Sequence, residues 1–363
     1  MRLLLRFSLP MLVGNIFQQF YSMVDAMIVG RFVGVDALAA VGATGGMSFL
    51  VLGFVIGLAN GFCVVVSQRF GARDEAGLRR CVAMTMLLSL IVTAVATAAS
   101  FLGTEPMLRA MNTPEEIIGG AFTYLRIMFA GIPIIMAYNV LASILRALGD
   151  SKTPLYAMVI ASILNVGLDL LFVMVFHWGI AGAVVATVIA QLFAALYCLR
   201  AVLHVKVIHL KKEYFRLNPE IAKRLLGLGT PVAAQNVIIA VGGMVVQSVV
   251  NRYGTLFVAG FTATNKLYGI LEIAAVSFGY AVTTYVGQNL GAGLLDRVKK
   301  GMHSATWIAL LTSVVITVFV LIFGKYGIAL FISGTAEEVS ISSQVAIHYL
   351  NIMSICLSIL YML

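Results

Sequence analysis

Two aspartates lie in the middle of long apolar runs, where a carboxylate is costly and therefore informative. Asp25 sits in FQQFYSMVDAMIVG and Asp169 in ASILNVGLDLLFVMVF. Both runs belong to stretches long enough to cross a bilayer, which takes about 20 residues. A carboxylate at bilayer depth costs roughly 2.5–3.5 kcal/mol on insertion scales, so it usually marks an ion or proton path. Polar neighbours accompany each acid. Asn15, Gln18, Ser22 and Asp25 are spaced by 3, 4 and 3 residues, which keeps them on one helical face about 80° wide. Ser162, Asn165 and Asp169 share a face in the same way, and Thr187 and Gln191 lie one turn apart in the next apolar run.

Such a set can do one of two things. It can form a polar pocket in which carboxylate, amide and hydroxyl oxygens hold a cation, or a carboxylate holds a proton. It can also be interhelical hydrogen-bond glue, worth about 0.6 kcal/mol per contact on average in one well-studied bundle. Glue is the preferred reading for Asn15, Gln18 and Gln191. It does not explain the two acids, because glue needs no charge in hydrocarbon.

The elements that must position these residues follow from composition. Hydrophobic residues make up 61% of the 363, charged residues 11%, and the mean hydropathy is +1.01. No soluble domain of this length offers so little polar surface, and the chain reads as an all-α polytopic membrane protein. Apolar runs bounded by charges give ten spans, at roughly 8–30, 42–66, 81–103, 119–142, 154–177, 180–203, 226–250, 256–286, 303–323 and 344–363. The first follows Arg2 and Arg6 but has no signal-peptide cleavage site, and it is read as a retained span. Gly53, Gly57 and Gly61 give span 2 a small-residue face for close helix packing. Cys63, Cys81, Cys198 and Cys356 show neither metal spacing nor a disulfide framework and are expected to be small buried hydrophobes.

Orientation follows from the 24 basic residues. Seventeen fall on one side: Arg2, Arg6, Arg69, Arg73, Arg79, Arg80, Arg146, Lys152, Lys206, Lys211, Lys212, Arg216, Lys223, Arg224, Arg297, Lys299 and Lys300. The alternate loops hold only Arg31, Arg109, Arg252 and Lys325, while Arg126, Arg200 and Lys266 lie in or near spans. The N-terminus is therefore expected in the cytoplasm. The basic residues collect in short loops, so the +9 net charge does not suggest nucleic acid.

The chain also repeats itself. Pro10 and Asn15 recur as Pro231 and Asn236, Arg31 as Arg252, Ser67–Ala72 as Gly287–Ala292, and Tyr124–Met128 as Tyr349–Met353. These pairs keep their order at offsets of 220 to 225. Six helices separate the copies, so the repeat is parallel, with its axis along the membrane normal and a central cavity between two bundles. The expected organisation is an N-lobe at 1–203, a basic cytoplasmic linker at 204–223 and a C-lobe at 224–363. On this symmetry the second copy stops short of two spans. The chain then reads as a twelve-helix protein ending inside its tenth helix.

Aromatic residues such as Phe17, Tyr21, Phe49, Tyr138 and Phe278 could stack on an organic cation or belong to the core. Lys266 and Glu272 are the intramembrane charges of the second half; six residues apart, they are poorly placed to pair, and each either lines the cavity or not. No P-loop, HExxH or GxSxG motif occurs, which argues against ATP as direct energy source and against an enzyme.

LPMLVGNIFQQFYSMVDAMIVGRFVGVDALAAVG, VSQRFGARD, LRALGDSKTP, ILNVGLDLLFV and YVGQNLGAG together resemble the prokaryotic multidrug and toxic compound extrusion (MATE) family. The resemblance covers essentially the whole chain. It implies twelve helices in two six-helix lobes and export of cationic, often aromatic, small organic compounds in exchange for H⁺ or Na⁺. It implies no resident cofactor and a monomer in the inner membrane. Carried over by position, Asp25, Asn165, Asp169 and Thr187 would couple the cation, with Na⁺ as a candidate ion, and Pro10 would bend span 1. Gln18, Tyr21, Ser22, Tyr138, Lys266 and Glu272 are the further candidates for the cavity wall. Some branches of the family use acids in spans 7 and 10, and span 7 here has none, which favours coupling in the first lobe. The competing expectation is a flippase of related fold for lipid-linked oligosaccharide or polysaccharide precursors. Its anionic substrate calls for several cavity cations, and only Lys266, Arg126 and Arg200 are candidates.

Single cysteines near Arg31 and Arg252 should react with a membrane-impermeant maleimide added outside the cell, and cysteines near Lys211 and Lys299 should not. The reverse labelling pattern would overturn the orientation.

Overall fold

The computed structural model describes residues 2–111, 113–253, 255–329 and 336–362; the terminal Leu363, on which the symmetry count ends, lies outside them. Apolar runs with few helix breakers become helices, and among the described residues there is no strand. In chain order they are α1 (Arg2–Ile28), α2 (Val35–Ala43), α3 (Gly45–Gly71), α4 (Glu75–Ala110), α5 (Glu115–Ala130), α6 (Ile132–Ala147), α7 (Lys152–Asp169), α8 (Gly179–His204), α9 (Pro219–Val250), α10 (Thr255–Gly291), α11 (Leu295–Ala329) and α12 (Ala336–Met362).

Eight of these, with α2–α3 taken together and α7 with its extension to Val175, are long and apolar enough to cross a membrane. The number is nine if α5 and α6 form one span bent by 47°. That bend falls at Gly131, followed by Pro133 at the start of α6, and was not anticipated within span 4. The helix α1 is not among the eight, although its 27 residues reach about 40 Å. Its polar residues, Gln18, Gln19 and Asp25 among them, dilute its apolarity.

The loops are tied by side-chain caps at helix starts. Asp74 caps α4, accepting from the Gly77 amide at 2.8 Å and pairing with Arg69 at 2.8 Å. Asp150 accepts from the amides of Lys152 and Thr153, both at 3.0 Å, after Gly149 turns the chain at φ 91°. Asn218 does the same for α9. The linker is docked by Ile208, which is buried in the main core, and by Arg79, whose Nε donates to the Val207 carbonyl at 2.9 Å.

The described chain divides into two compact units: Val13–Val241 with Gly287–Leu294, and Met1–Leu12, Gly242–Val286 and Leu295–Leu363. The first has a main core around Phe62, Phe129, Leu125 and Ile144, with smaller clusters beside it. The second has smaller clusters, including Val320, Ile328, Ala346 and Leu350. Cys63, Cys81 and Cys198 are buried as expected, but Cys356 is exposed on α12. Its position near the end of an apolar run did not reveal which way it faces.

Within the first unit, two repeat-related segments cross each other. A Cβ on Gly71 would run into the Gln288 carbonyl, and a Cβ on Gly291 into the Gln68 carbonyl. Backbone meets backbone here, so only glycine fits. Arg224 Nη2 donates to Gln68 Oε1 at 2.7 Å, and Gln288 Nε2 donates to the Ala147 carbonyl at 2.8 Å. Farther along α3, Gly57 and Gly61 let the backbone of α9 approach at Ala233 and Gly229.

Gly71→Ala and Gly291→Ala should each destabilise the protein by about 1–3 kcal/mol, because a backbone carbonyl cannot move aside as a side chain can. Gly227→Ala, which faces open space in α9, should be neutral or stabilise by up to about 1 kcal/mol. Thermal unfolding of the three variants in detergent reads the difference.

Candidate functional site

The two acids occupy matching positions in their helices. Asp25 lies in the last turn of α1, which continues as a π-helical segment, Val29–Val33. Asp169 is the last residue of α7, which continues as a π-helical segment, Leu170–Val175. Each π-helical turn takes in an extra residue and shifts the face presented beyond it, and such turns recur at functional sites. The two π segments pack against each other. An apolar cluster of Ile28, Val29, Ala37, Val173 and Ala183 lies beneath the acids.

Asp169 has no exposed surface and Asn165 is 1% exposed; Asp25 is half-buried. The carboxylates are close enough to interact electrostatically. Asn165 Nδ2 donates to Thr187 Oγ1 at 3.3 Å, joining α7 to α8 and turning the amide oxygen away from that bond. Both oxygens of Asp169, Oδ1 of Asp25 and Oδ1 of Asn165 are buried with no hydrogen-bond partner. Gln191 Oε1 is in the same condition. The Tyr21 hydroxyl lies beside Gln191 and Gln18 and feels both acids, as does Tyr124 of α5. The result is a cluster of acceptor oxygens rimmed by two phenols. Acceptors with no donor, at roughly 1–3 kcal/mol each for an unmet group, fit a proton or a metal cation.

The sequence-derived candidates separate clearly. Asp25, Asn165, Asp169 and Thr187 come together, with Tyr21 beside them. Ser22 is exposed, and Gln18, also exposed, reaches Tyr21. Ser162 spends its hydroxyl on the Met158 carbonyl of its own helix at 2.8 Å. Tyr138 is buried in the main core. Pro10 is half-buried, and α1 runs through it without a break. Lys266, exposed, and Glu272, half-buried beside Tyr268, belong to the other unit. The sequence marks Tyr124 only as part of the repeat and Gln191 only as glue, whereas the structure brings both beside the acids. Tyr124 lies one turn before the buried Met128, on the inward side of α5, but no local pattern joins it to spans 1 and 5.

Comparison with known proteins identifies the family. The MatE family model matches residues 10–171 and 231–363, two segments that begin on the repeat-related Pro10 and Pro231. The chain is 37% identical over 330 residues to the probable multidrug resistance protein YpnP of Bacillus subtilis (strain 168), covering 91% of this chain and 74% of that protein. It is 30% identical over 343 residues to the probable multidrug resistance protein YoeA of the same strain, covering 90% and 72%. Among solved structures, a MOP superfamily transporter from Pyrococcus furiosus superposes with a TM-score of 0.91 at 26% identity, covering 98% of this chain and 79% of that one.

Asp169→Asn should raise the thermal midpoint of the protein in Na⁺-free buffer at alkaline pH, where the wild-type carboxylate is charged. The amide removes a buried charge and adds a donor for a neighbouring orphan oxygen, a gain of about 1–3 kcal/mol. An unchanged or lower midpoint would show that the carboxylate is already neutralised by a partner.

Proposed function

The chain belongs to the MatE family, and from that membership we propose that it is a secondary antiporter that exports organic cations in exchange for H⁺ or Na⁺. The observation that carries this reading is the group of four orphan acceptor oxygens on Asp25, Asn165 and Asp169. Family members are membrane transporters, and an acceptor-only cluster between helices gives such a protein a place where a cation has differential affinity between states.

The proposed cycle uses this chain's own groups. With the site open to the outside, Asp25 and Asp169 take up a proton or a Na⁺, and the carbonyl oxygen of Asn165 and the hydroxyl of Thr187 complete the oxygen set. The bound charge neutralises the carboxylates and weakens their hold on a cationic substrate, because the same oxygens cannot serve both. Substrate leaves, access switches, and the cation is released to the cytoplasm. Tyr21 and Tyr124 offer π faces to an aromatic or quaternary cation beside the acids. The lobes at 1–203 and 224–363, joined by 204–223, are the proposed moving bodies. On this proposal the N-terminus lies in the cytoplasm and the protein in the inner membrane, as the distribution of basic loops supports.

Proteoliposomes holding the full chain, preloaded with a fluorescent organic cation and given a Na⁺ or a pH gradient, test the reading. Asp25→Asn and Asp169→Asn should each abolish gradient-driven efflux while leaving expression near normal. Asn165→Ala and Thr187→Ala should be milder, since each removes a neutral interaction worth about 1 kcal/mol. Full coupled efflux by both acid variants would move the coupling site elsewhere, with Glu272 the next residue to replace.

A further inference from the structure

Not every charge inside the spans takes part in the acid cluster. Arg126 lies in α5, 11 residues beyond Glu115, which is about 16 Å along the helix. Its guanidinium carbon is 4.1 Å from the centre of the Phe101 ring and 5.0 Å from that of Phe122. Its Nε is buried and has no hydrogen-bond partner. Among the described residues the ion pairs are Arg69–Asp74, Arg79–Glu75, Arg109–Glu105 and Lys211–Glu213, and no carboxylate lies within bridging distance of Arg126. An arginine cannot discharge itself by losing a proton, so its charge must be met by something else.

The geometry says where that something comes from. Arg126 is about 160° round α5 from Tyr124, which feels the acids. Gly119, Thr123 and Ala130 share its side and are exposed, so this face looks out of the unit. On α4, Glu105 stands one turn beyond Phe101, exposed and paired with Arg109 at 2.9 Å. The guanidinium is therefore held about one turn beneath the first exposed charge pair, within side-chain reach of the headgroup layer. An arginine that only snorkels to water keeps a mobile head and needs no clamp. Two rings fix this one.

We propose that Arg126, held between Phe101 and Phe122, binds the phosphodiester of a phospholipid headgroup at that end of the bundle. The planar fork matches phosphate oxygens two at a time, and the rings hold its plane while shielding it from the acyl chains. By the distribution of basic loops this is the outer leaflet. The site is independent of the antiport reading: it would hold whatever the transported compound.

The full chain in mild detergent, titrated with phosphatidylglycerol and followed by native mass spectrometry, tests it. Wild type should retain one more lipid than Arg126→Gln, with apparent affinity falling about tenfold in the variant, the scale of one hydrogen bond to a charged group. Phe101→Leu should weaken retention while keeping the charge, and millimolar inorganic phosphate should leave the lipid in place. Equal retention by wild type and Arg126→Gln would overturn the proposal, and so would displacement by inorganic phosphate, which would make this a soluble-anion site. Should Arg126→Gln fail to fold, wild type alone decides. It should hold phosphatidylglycerol over a phosphate-free glycolipid of the same acyl chains, and equal binding of the two would also overturn the assignment.

Discussion

Hydrocarbon offers no hydrogen bonds, so every polar group in a span needs a partner inside the protein. Most of this chain obeys that constraint locally. Ser67, Ser162 and Ser354 each donate to a carbonyl one turn earlier in their own helix, and Thr264 reaches both Gly260 and Ala346. Asn236 ties its helix to the Gly53 carbonyl at 2.8 Å. The oxygens of Asp25, Asn165 and Asp169 break the rule together and in one place. A single orphan would be a packing defect. Four unmet acceptors in one neighbourhood are costly, and the surrounding fold must hold them in that state.

The scaffold does so with close packing rather than with bonds. Gly120 lets α5 approach Ala40 and Ile180, and Gly131 lets the α5–α6 bend seat against Val188. Gly182 sits against Phe172 and Trp178, in the aromatic stack that Phe176 completes. The π-helical turns after both acids add one residue each without breaking the helix. Two carboxylates from α1 and α7 thereby end above a shared apolar floor.

Internal duplication supplies the other constraint. Residues 67–72 and 287–292 descend from one pattern and meet face to face, and the glycines at 71 and 291 are the condition for that meeting. Each copy's glutamine accepts or donates across the junction to a different helix, Gln68 from Arg224 and Gln288 to Ala147. Similar sequence thus gives similar backbone, while side-chain partners diverge. The position matching Asp25 is Val246, and the position matching Arg126 is Asn351.

Composition, run length and the position of basic residues sufficed for the helical, membrane-spanning class, because those depend on solvent transfer and on 3.6-residue periodicity. Spacing sufficed to put Asn165 and Asp169 on one face, and repeat offsets sufficed to pair Gly71 with Gly291. Other features were out of reach of the sequence. The π-helical turns leave no mark in an apolar run, since an extra Val or Leu looks like any other. The 47° bend at Gly131 depended on packing against Val188, and a glycine with a proline two positions on also occurs where chains merely turn. Tyr124 and Gln191 joined the acids, and Tyr138 went to the core, through helix–helix orientation that no local pattern encodes. Arg126 was legible as a charge in a span; that it faces away from the acids between two rings was decided only when α4 packed on α5.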